Sequence, residues 1–304
     1  MPVPIHSAID QLFQTAGIKV VSSTELYPAL HQVGEAGLPM LVIENRLGRA
    51  VVALHGAHLM SFQPAGEREM LWVSPQSQLE AGKPIRGGVP LCLPWFGPGP
   101  DAALPHGFSR VNPWTLVASE ICPDGATRIV LELAGDATFC AGWPHAFSFR
   151  LEVIVGSKLQ LSLRAENRGE TAAPLAFAFH TYFAVPNVAE AHVAGLEGTT
   201  YIDKMDNMAR KVQQGEVVIS DVTDRIYLDV PATQTLLTAA GKVTIQADSK
   251  DAVVWNCWSN DQKIADIGAG NHVGYICVER CDVADHAVSL AAGDTYEMSM
   301  TLGY

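Results

Sequence analysis

The feature that most constrains the fold is a succession of short segments in which apolar residues alternate with polar ones or run together, separated by glycine, proline, asparagine and aspartate. Successive side chains of a β-strand point to opposite faces, so this period of two predicts strands. Many strands without crossover helices favour an all-β fold, and we predict one large antiparallel β-sandwich. The predicted strands are LPMLVIEN, RAVVALHGAHLMSF, RIVLELAG, FSFRLEVIVG, KLQLSLRAEN, KVTIQAD, DAVVWNCW, VGYICVER and TYEMSMTLGY.

One short helix is predicted, in the N-terminal segment SAIDQLFQTAG, where Ser7 can cap the helix and Gly17 can end it. We interpret residues 1–35 as an accessory segment. No internal repeat or low-complexity linker divides the rest of the chain, and large all-β domains reach this length as one unit. Residues 1–304 are therefore predicted to form a single domain.

Composition limits the partners. The chain has 20 lysines and arginines against 32 aspartates and glutamates, a net charge of −12, which argues against nucleic acid and against an anionic membrane surface. No apolar run has the length of a membrane span, and the first twenty residues do not resemble a secretory signal. Six scattered cysteines without a C-x-x-C pair are most simply reduced thiols. We expect a cytoplasmic protein that acts on a small molecule, as a monomer and without a cofactor.

A histidine interrupts the apolar segment PLAFAFHTYFAV, residues 174–185. Alternation places large side chains on one face and small or polar side chains on the other, which leaves space beside the imidazole of His180. One interpretation is a core histidine whose ring bonds to backbone. Because a core normally fills such space, a group that transfers protons is the alternative. The second face consists of Ala176, Ala178, His180 and Tyr182.

A carboxylate lies in a second apolar strand, VGYICVERCD, residues 273–282. Alternation puts Glu279 on the face opposite Ile276. A buried carboxylate needs a partner or a raised pKa, and both are typical of a catalytic base. The structural alternative is a salt bridge to Arg280 or Arg110. Together, His180 and Glu279 suggest an acid and a base that face each other across a cavity.

Residues 82–114 form a long segment that is dense in glycine, proline and aromatic residues and holds Arg86, His106 and Arg110. A loop of this length is usually functional. The two arginines can bind an anion such as phosphate, although each can equally form a surface ion pair. The aromatic residues of the loop can pack in the core or stack on a sugar ring.

A metal site and other chemistries are less well supported by the sequence. His55 and His58 form an H-x-x-H pair, but the H-E-x-x-H motif is absent, and in a continuous strand these two side chains would lie on opposite faces. No nucleophile elbow or phosphate-binding P-loop is found. A glycoside hydrolase would need a second carboxylate placed like Glu279. We therefore expect no metal.

Six motifs occur in order from about residue 40 to the C-terminus: IRGGVPLCLPWFGP, LPHGFSRVNPW, FHTYFAV, YIDKM, VVWNCW and GYICVER. Together they resemble the hexose-6-phosphate mutarotases (glucose-6-phosphate 1-epimerases) of the aldose 1-epimerase superfamily. The resemblance implies a galactose-mutarotase-like β-sandwich and interconversion of the α and β anomers of a hexose 6-phosphate, D-glucose 6-phosphate being the expected sugar.

The resemblance also implies roles for individual residues. His180 matches the general acid of the family and Glu279 its general base. The positions that match substrate-binding residues are Arg86, His106, Arg110 and Asp203.

Two positions depart from the family pattern. Pro105 stands where many relatives have glutamine, and Cys257 stands where they often have proline. The first departure concerns the identity of the sugar more than the reaction. Two alternatives remain open at this point: a mutarotase of free aldoses, and a sugar-binding or regulatory protein that does no catalysis.

Overall fold

A computed structural model of the chain describes residues 15–31, 36–100 and 104–304. Most of the predicted N-terminal helix falls in residues 1–14, outside the described residues. Within the described residues, β-strands dominate. In chain order they are β1 Ile18–Ser22, β2 Pro39–Asn45, β3 Gly48–Ala53, β4 His58–Pro64, β5 Leu91–Cys92, β6 Thr115–Ile121, β7 Thr127–Gly135, β8 Phe147–Val155, β9 Leu159–Asn167, β10 Ala173–Leu175, β11 Phe177–Phe179, β12 Tyr182–Ala184, β13 His192–Ala194, β14 Thr200–Asp203, β15 Ala209–Val212, β16 Val217–Val218, β17 Thr223–Tyr227, β18 Thr233–Thr238, β19 Gly241–Ala247, β20 Asp251–Asn256, β21 Tyr275–Asp282, β22 Val288–Leu290 and β23 Thr295–Gly303.

Helical structure in the described residues is limited to short pieces. One α-helix, α1, spans Ser23–Leu26, and the Ser22 side chain caps it by accepting a hydrogen bond from the Thr24 backbone N–H. No described helix is long and apolar enough to cross a membrane. Single 3₁₀ turns span Pro28–Leu30, Ser109–Val111, Val188–Glu190, Trp258–Lys263, Asn271–Gly274 and Ala284–His286.

The strands form two large antiparallel sheets and two small ones. The nine-stranded sheet has the order β16-β13-β18-β19-β23-β9-β8-β7-β6, and the eight-stranded sheet has the order β15-β14-β17-β20-β21-β11-β5, with β12 also paired to β21. Strands β1 to β4 form a meander, and β10 pairs with β22. This arrangement confirms the prediction of a large antiparallel β-sandwich.

The main core lies between the two large sheets. In β9, Leu161 and Leu163 are buried while Gln160 and Arg164 are exposed, as the period of two requires. Side chains of β9 belong to the same buried apolar cluster as those of β11 and β21 from the eight-stranded sheet. The cluster also contains residues of the β1–β4 meander, such as Leu41 of β2.

The eight-stranded sheet is buried on its second face as well. Strand β21 is buried at every position except its last residue. Ile276 and Val278 belong to the main core, whereas Tyr275, Cys277 and Cys281 belong to smaller clusters on the other side. This second face receives the ionisable residues described below.

The predicted strand RAVVALHGAHLMSF is instead a hairpin. A turn at residues 54–57 separates β3 from β4, and Gly56 adopts a φ of +75° in it. The apolar composition of the turn hid the reversal, because its residues are themselves buried. The N-terminal segment also contributes a strand, since β1 pairs antiparallel with β2 from Ile18 to Ser22.

Replacing Leu161 by alanine tests the contribution of the inter-sheet core. Leu161 is buried at the centre of β9, so Leu161→Ala should lower the free energy of unfolding by about 2–5 kcal/mol, since the cavity adds to the lost burial. Urea denaturation measures the change. Gln160→Ala, on the exposed face of the same strand, should change stability by less than about 0.5 kcal/mol. Equal effects of the two substitutions would contradict the assigned faces.

Candidate active site

The site is centred on two residues that neighbouring strands place opposite each other. Strands β11 and β12 both pair with β21 in one continuous register, in which Phe179 lies opposite Arg280. The next position in that register places His180 opposite Glu279. Their side chains meet, with 3.3 Å between His180 Nε2 and Glu279 Oε1. The structure thus brings together the two ionisable residues that the sequence had placed on separate apolar strands.

The carboxyl group of Glu279 lies in an apolar setting. Only 1% of the side chain is exposed, and Oε2 has no hydrogen-bond partner among the described residues. Burial raises the pKa of Glu279 well above its ordinary value, the Asp224 carboxylate raises it further, and Lys204 lowers it. Arg280, one of the salt-bridge partners considered from the sequence, points to the other face of β21 and does not contact Glu279.

The pKa of the His180 imidazole is shifted in the opposite direction. Burial lowers its pKa well below the ordinary value, and the positive charges of Arg86 and Arg110 lower it further. The sequence had suggested a protonated imidazole beside an ionised carboxylate. In the free protein, both shifts favour the neutral pair, a protonated Glu279 and an uncharged His180. The neutral pair and the ion pair share the same number of protons. They differ only in whether the shared proton lies on Glu279 or on His180.

Arg86 is linked to His180 through the side chain of Tyr182. Its Nη1 donates a hydrogen bond to the Tyr182 hydroxyl at 2.9 Å, and the Tyr182 ring stacks on the His180 ring, with centroids 4.9 Å apart and planes 9° from parallel. Nε donates to Asp266 Oδ2 at 3.0 Å. Burial alone would lower the pKa of Arg86, but Tyr182 and Asp266 raise it overall. Arg86 is therefore a fixed, fully charged guanidinium at the site.

Two glycines allow the backbone after Arg86 to pass closely against the β-meander. Gly87 and Gly88 have φ values of +108° and +62°, in the region that favours glycine. A Cβ atom at Gly88 would lie 2.2 Å from the Leu59 carbonyl oxygen. The RGG sequence is thus a local requirement for the position of the arginine.

Arg110 and His106 come from the other end of the same loop. Arg110 is 9% exposed; Nη2 donates to the Pro105 carbonyl at 2.6 Å, and Nε has no partner among the described residues. No described carboxylate lies within ion-pair distance of Arg110. The His106 ring meets the His180 ring edge-on at 5.8 Å, and its Nδ1 accepts the Gly97 N–H. Burial, together with nearby cations, lowers the pKa of His106 to about 3, so this ring is neutral and carries its proton on Nε2.

The structure does not place Asp203 with these residues. In the ladder, Asp203 lies opposite Arg225, on the side of the sheet that faces the main core. Its carboxylate bonds to Lys211 Nζ at 2.8 Å and accepts the Met205 backbone N–H. A substrate-binding role for Asp203 remains a prediction without a contact to the His180–Glu279 pair.

Asp224 lies on the opposite face of the sheet from Asp203. It lies opposite Trp255, which lies opposite Cys277, so these side chains share the face of Glu279. Asp224 is paired with Lys204 Nζ at 2.7 Å, and burial raises its pKa. Trp255 is half-buried, with its ring edge-on to His180 at 6.1 Å. Asp224 was missed at the level of the sequence, although TDRIYLD alternates in the same way as the predicted strands.

The loop aromatics divide between core and site. Phe108 and Trp114 are buried in the main core, as the simpler interpretation holds. Phe96 is half-buried and lies beside the site, with its ring 4.7 Å from the His106 ring and 6.0 Å from Lys204 Nζ. It stays a candidate for stacking on a sugar.

The other histidines considered as metal ligands bond to backbone. His55 Nε2 contacts the Lys83 carbonyl at 2.8 Å, and His58 Nε2 contacts the Gly87 carbonyl at 2.7 Å. Within residues 15–31, 36–100 and 104–304, no group of three or more histidine, cysteine, aspartate or glutamate side chains is arranged to hold a metal ion.

The two departures from the family pattern also have structural partners. The Pro105 carbonyl accepts a hydrogen bond from the Arg110 guanidinium. Cys257 Sγ contacts the Tyr275 hydroxyl at 3.1 Å. All six cysteines are free thiols, as expected from their spacing.

Comparison of the fold places the chain among mutarotase-like β-sandwiches. A crystal structure described as a "putative mutarotase" from Salmonella typhimurium superposes with a TM-score of 0.82 and 29% identity, over 97% of this chain and 98% of that one. A galactose mutarotase related enzyme from Lactobacillus acidophilus has the same fold, with a TM-score of 0.69 over 87% of this chain and 97% of that one, at 17% identity.

Sequence comparison agrees. The family model for aldose 1-epimerase matches residues 39–303, and the chain belongs to the aldose 1-epimerase family. A protein of Escherichia coli K12 named "Putative glucose-6-phosphate 1-epimerase" is 38% identical over 67% of this chain and 68% of its own. A protein of the same name from Salmonella typhimurium LT2 is 33% identical over 84% of this chain and 87% of its own. The family and fold expected from the six motifs are confirmed.

The close approach at Gly88 gives a testable prediction. Gly88→Ala should lower the free energy of unfolding by more than about 2 kcal/mol, because a backbone oxygen must move in addition to the cost of positive φ. Gly82→Ala is the matched control, because Gly82 lies in the same loop and also has a positive φ, +80°. A Cβ atom there would have nothing within 4 Å, so only the free-energy cost of the positive φ remains. Urea denaturation of both variants measures the difference, and equal losses would contradict the close approach.

Proposed function

We propose that this protein interconverts the α and β anomers of a hexose 6-phosphate, with D-glucose 6-phosphate as its substrate. The observation that carries the proposal is the contact between His180 Nε2 and Glu279 Oε1 at 3.3 Å, in a buried site that also contains Arg110, whose Nε has no partner among the described residues. The names of the relatives from Escherichia coli and Salmonella typhimurium support the same substrate.

The reaction needs one base and one acid, on two oxygens bound to one carbon. Glu279, in its ionised form, removes the proton from the anomeric hydroxyl, while the protonated His180 gives a proton to the ring oxygen. The C1–O5 bond breaks, and the sugar becomes an open-chain aldehyde with no net change in protons. Rotation about C1–C2 and closure with the roles reversed yields the other anomer. Each such proton transfer contributes about 10² to 10⁴ in rate.

Arg110 supports a phosphate group on the substrate. A guanidinium that is 9% exposed, without a described carboxylate partner and with an unpaired Nε, calls for an anion. Arg86 is the second candidate for this anion, because its charge, like that of Arg110, lowers the pKa of His180. Unlike Arg110, Arg86 is already paired with Asp266, so we assign the principal phosphate contact to Arg110.

The remaining polar and aromatic groups suit a pyranose. Asp224 can accept hydrogen bonds from sugar hydroxyls, and neutral His106 can donate one from Nε2. The rings of Trp255 and Phe96 offer faces on which the apolar side of a sugar can pack. The proposal includes a small-molecule sugar phosphate as the partner, a monomeric chain and a cytoplasmic location.

A free aldose is the second candidate substrate, because the family as a whole is named for aldose 1-epimerase activity. The charge of Arg110 has no carboxylate partner among the described residues, which favours the phosphorylated sugar, since a neutral hydroxyl supplies no counterion. Rates with D-glucose and D-galactose beside D-glucose 6-phosphate decide between the two. Equal acceleration of free and phosphorylated sugars would remove the phosphate from the proposal.

Glu279→Gln tests the base. The amide keeps the shape of the side chain but cannot accept the proton, so the rate should fall by about 10² to 10⁴ while the protein stays folded. The measurement is the relaxation of pure α-D-glucose 6-phosphate toward its anomeric equilibrium, with circular dichroism as the check on folding. Glu297→Gln, at an exposed position of β23, serves as the control and should keep full activity. A fully active Glu279→Gln protein would refute the assigned role.

Arg110→Met tests the anion site through two opposite effects. Arg110 has no carboxylate partner among the described residues, so relief of its buried charge should offset the loss of its bond to the Pro105 carbonyl, and the free energy of unfolding should stay unchanged or rise. The same substitution should lower kcat/KM for D-glucose 6-phosphate by about tenfold or more, because a charge-assisted contact to phosphate is lost. Kinetics and urea denaturation measure the two effects, and a variant that loses stability but keeps kcat/KM would argue against an anion site.

Arg280→Met is the matched control for that experiment. Arg280 is fully buried, but its guanidinium is bonded to Ser249, Pro231, Ala232 and Gln234. Its loss leaves several buried acceptors unpaired, so stability should fall by about 2 kcal/mol or more. The contrast between the two buried arginines separates a binding role from a structural one.

A further inference from the structure

The charges around His180 and Glu279 are almost balanced, with one exception. Arg86 is paired with Asp266, and Lys204 on the far side of the site is paired with Asp224. These two ion pairs come from the 82–114 loop, the segment between β20 and β21, the residue that follows β14, and strand β17. Each pair leaves no net charge.

The other titratable groups that face His180 are neutral. Burial holds the pKa of His106 at about 3, and it raises the pKa of the Tyr182 phenol and of the Cys92 and Cys277 thiols, so none of them is charged near pH 7. His180 and Glu279 together hold one proton and have no net charge in either arrangement.

Arg110 is the exception. Its positive charge has no described carboxylate partner, and it acts on His180. The described groups of the site therefore carry one net positive charge, on the side of the imidazole rather than the carboxylate. This charge opposes the transfer of the shared proton from Glu279 to His180, because that transfer would create a second cation beside it.

A dianion bound at Arg110 would reverse the sign of the net charge that acts on His180. With a phosphate group bound there, the cationic side of the site has a net charge of −1, which favours an imidazolium at His180 and disfavours a neutral one. Tyr182 links Arg86 to the proton acceptor: its hydroxyl accepts a hydrogen bond from Arg86 Nη1 at 2.9 Å, and its ring stacks on the His180 ring with centroids 4.9 Å apart. His180 Nδ1 and Glu279 Oε2 have no hydrogen-bond partner within the described part of the chain, so no described contact fixes either group in one protonation state.

We propose that the phosphate group activates the catalytic pair as well as anchoring the sugar: its binding at Arg110 and Arg86 moves the shared proton from Glu279 to His180. This inference rests on the proposed function. It makes the active acid and base a product of substrate binding. A sugar that lacks the phosphate would then fill the site beside a pair in the inactive arrangement.

The inference is tested by supplying the sugar ring and the anion as two separate molecules. α-D-Xylopyranose has the reacting ring of glucose but lacks the sixth carbon and its phosphate, and phosphite dianion supplies the missing charge. Relaxation of α-D-xylopyranose is followed by polarimetry at constant ionic strength, with phosphite replacing chloride. Phosphite should raise kcat/KM for xylose at least about tenfold and in a saturable manner, which corresponds to a shift of about one pKa unit. No change, or inhibition alone, overturns the inference.

Two variants accompany this experiment. Arg110→Met should abolish activation by phosphite. Arg164→Gln, at an exposed position of β9 in the nine-stranded sheet, should keep the full activation, which controls for a general effect of anions on a chain with a net charge of −12. Equal activation of the Arg110→Met protein would overturn the assignment of the anion to this site.

The proton itself is followed by NMR of protein with ¹⁵N-labelled imidazole rings, in which the His180 signals are identified by their loss in His180→Gln. Without anion the ring should be neutral, and with saturating phosphite both nitrogens should be protonated. A ring that stays neutral overturns the inference even if xylose is activated, because the activation would then come from another effect.

The two levels of the proposal fail separately. If D-glucose 6-phosphate is accelerated while phosphite neither activates xylose nor protonates His180, the proposed function holds and this inference is wrong. If D-glucose 6-phosphate is not accelerated, the proposed function is wrong, and the NMR titration alone decides whether anion binding moves the proton.

Discussion

The site depends on the placement of two ionisable side chains opposite each other in the middle of a sheet that is buried on both faces. A single register between β21 and the β11–β12 segment sets His180 against Glu279, 3.3 Å apart. Isolated in such a place, either group would be held in its neutral form by burial. As a pair they can exchange one proton internally, so acid and base forms become accessible without a change in total charge. The chemistry follows from that exchange.

Adjacent residues of β21 show how one strand serves two purposes. Glu279 and Arg280 point to opposite faces, and both are almost fully buried. Arg280 satisfies its guanidinium with carbonyl, hydroxyl and amide oxygens, so it stabilises the contact between β21 and the β18 region. Among the residues that the structure describes, Glu279 Oε2 and Arg110 Nε have no hydrogen-bond partner. Unpaired buried groups lower stability, and such groups are typical of a site shaped for a ligand.

The sequence predicted the parts of the site that obey local rules. The faces of residues 174–185 and 273–282 followed from alternation, which depends only on neighbouring residues, and the structure has the same faces. The choice between Asp203 and Asp224 could not be made in that way. Which of them shares a face with Glu279 depends on the register across β14, β17, β20 and β21, and register is a property of paired strands. The motif match favoured Asp203, whereas the ladder places Asp224 on the site face. Asp266 lies in an irregular segment without periodicity, so no pattern pointed to its contact with Arg86.

A net charge of −12 opposes the approach of the anionic substrate that we propose, and the charges of the site act against that repulsion. Salt screens interactions between exposed charges beyond about 8 Å, whereas buried charges act at short range with little screening. Arg110, which has no carboxylate partner among the described residues, would therefore act on the proposed phosphate inside the site, while the acidic surface mainly affects the rate of encounter. An acidic surface also repels polyanions that are too large to enter, which agrees with the proposal of a small phosphorylated molecule as the partner.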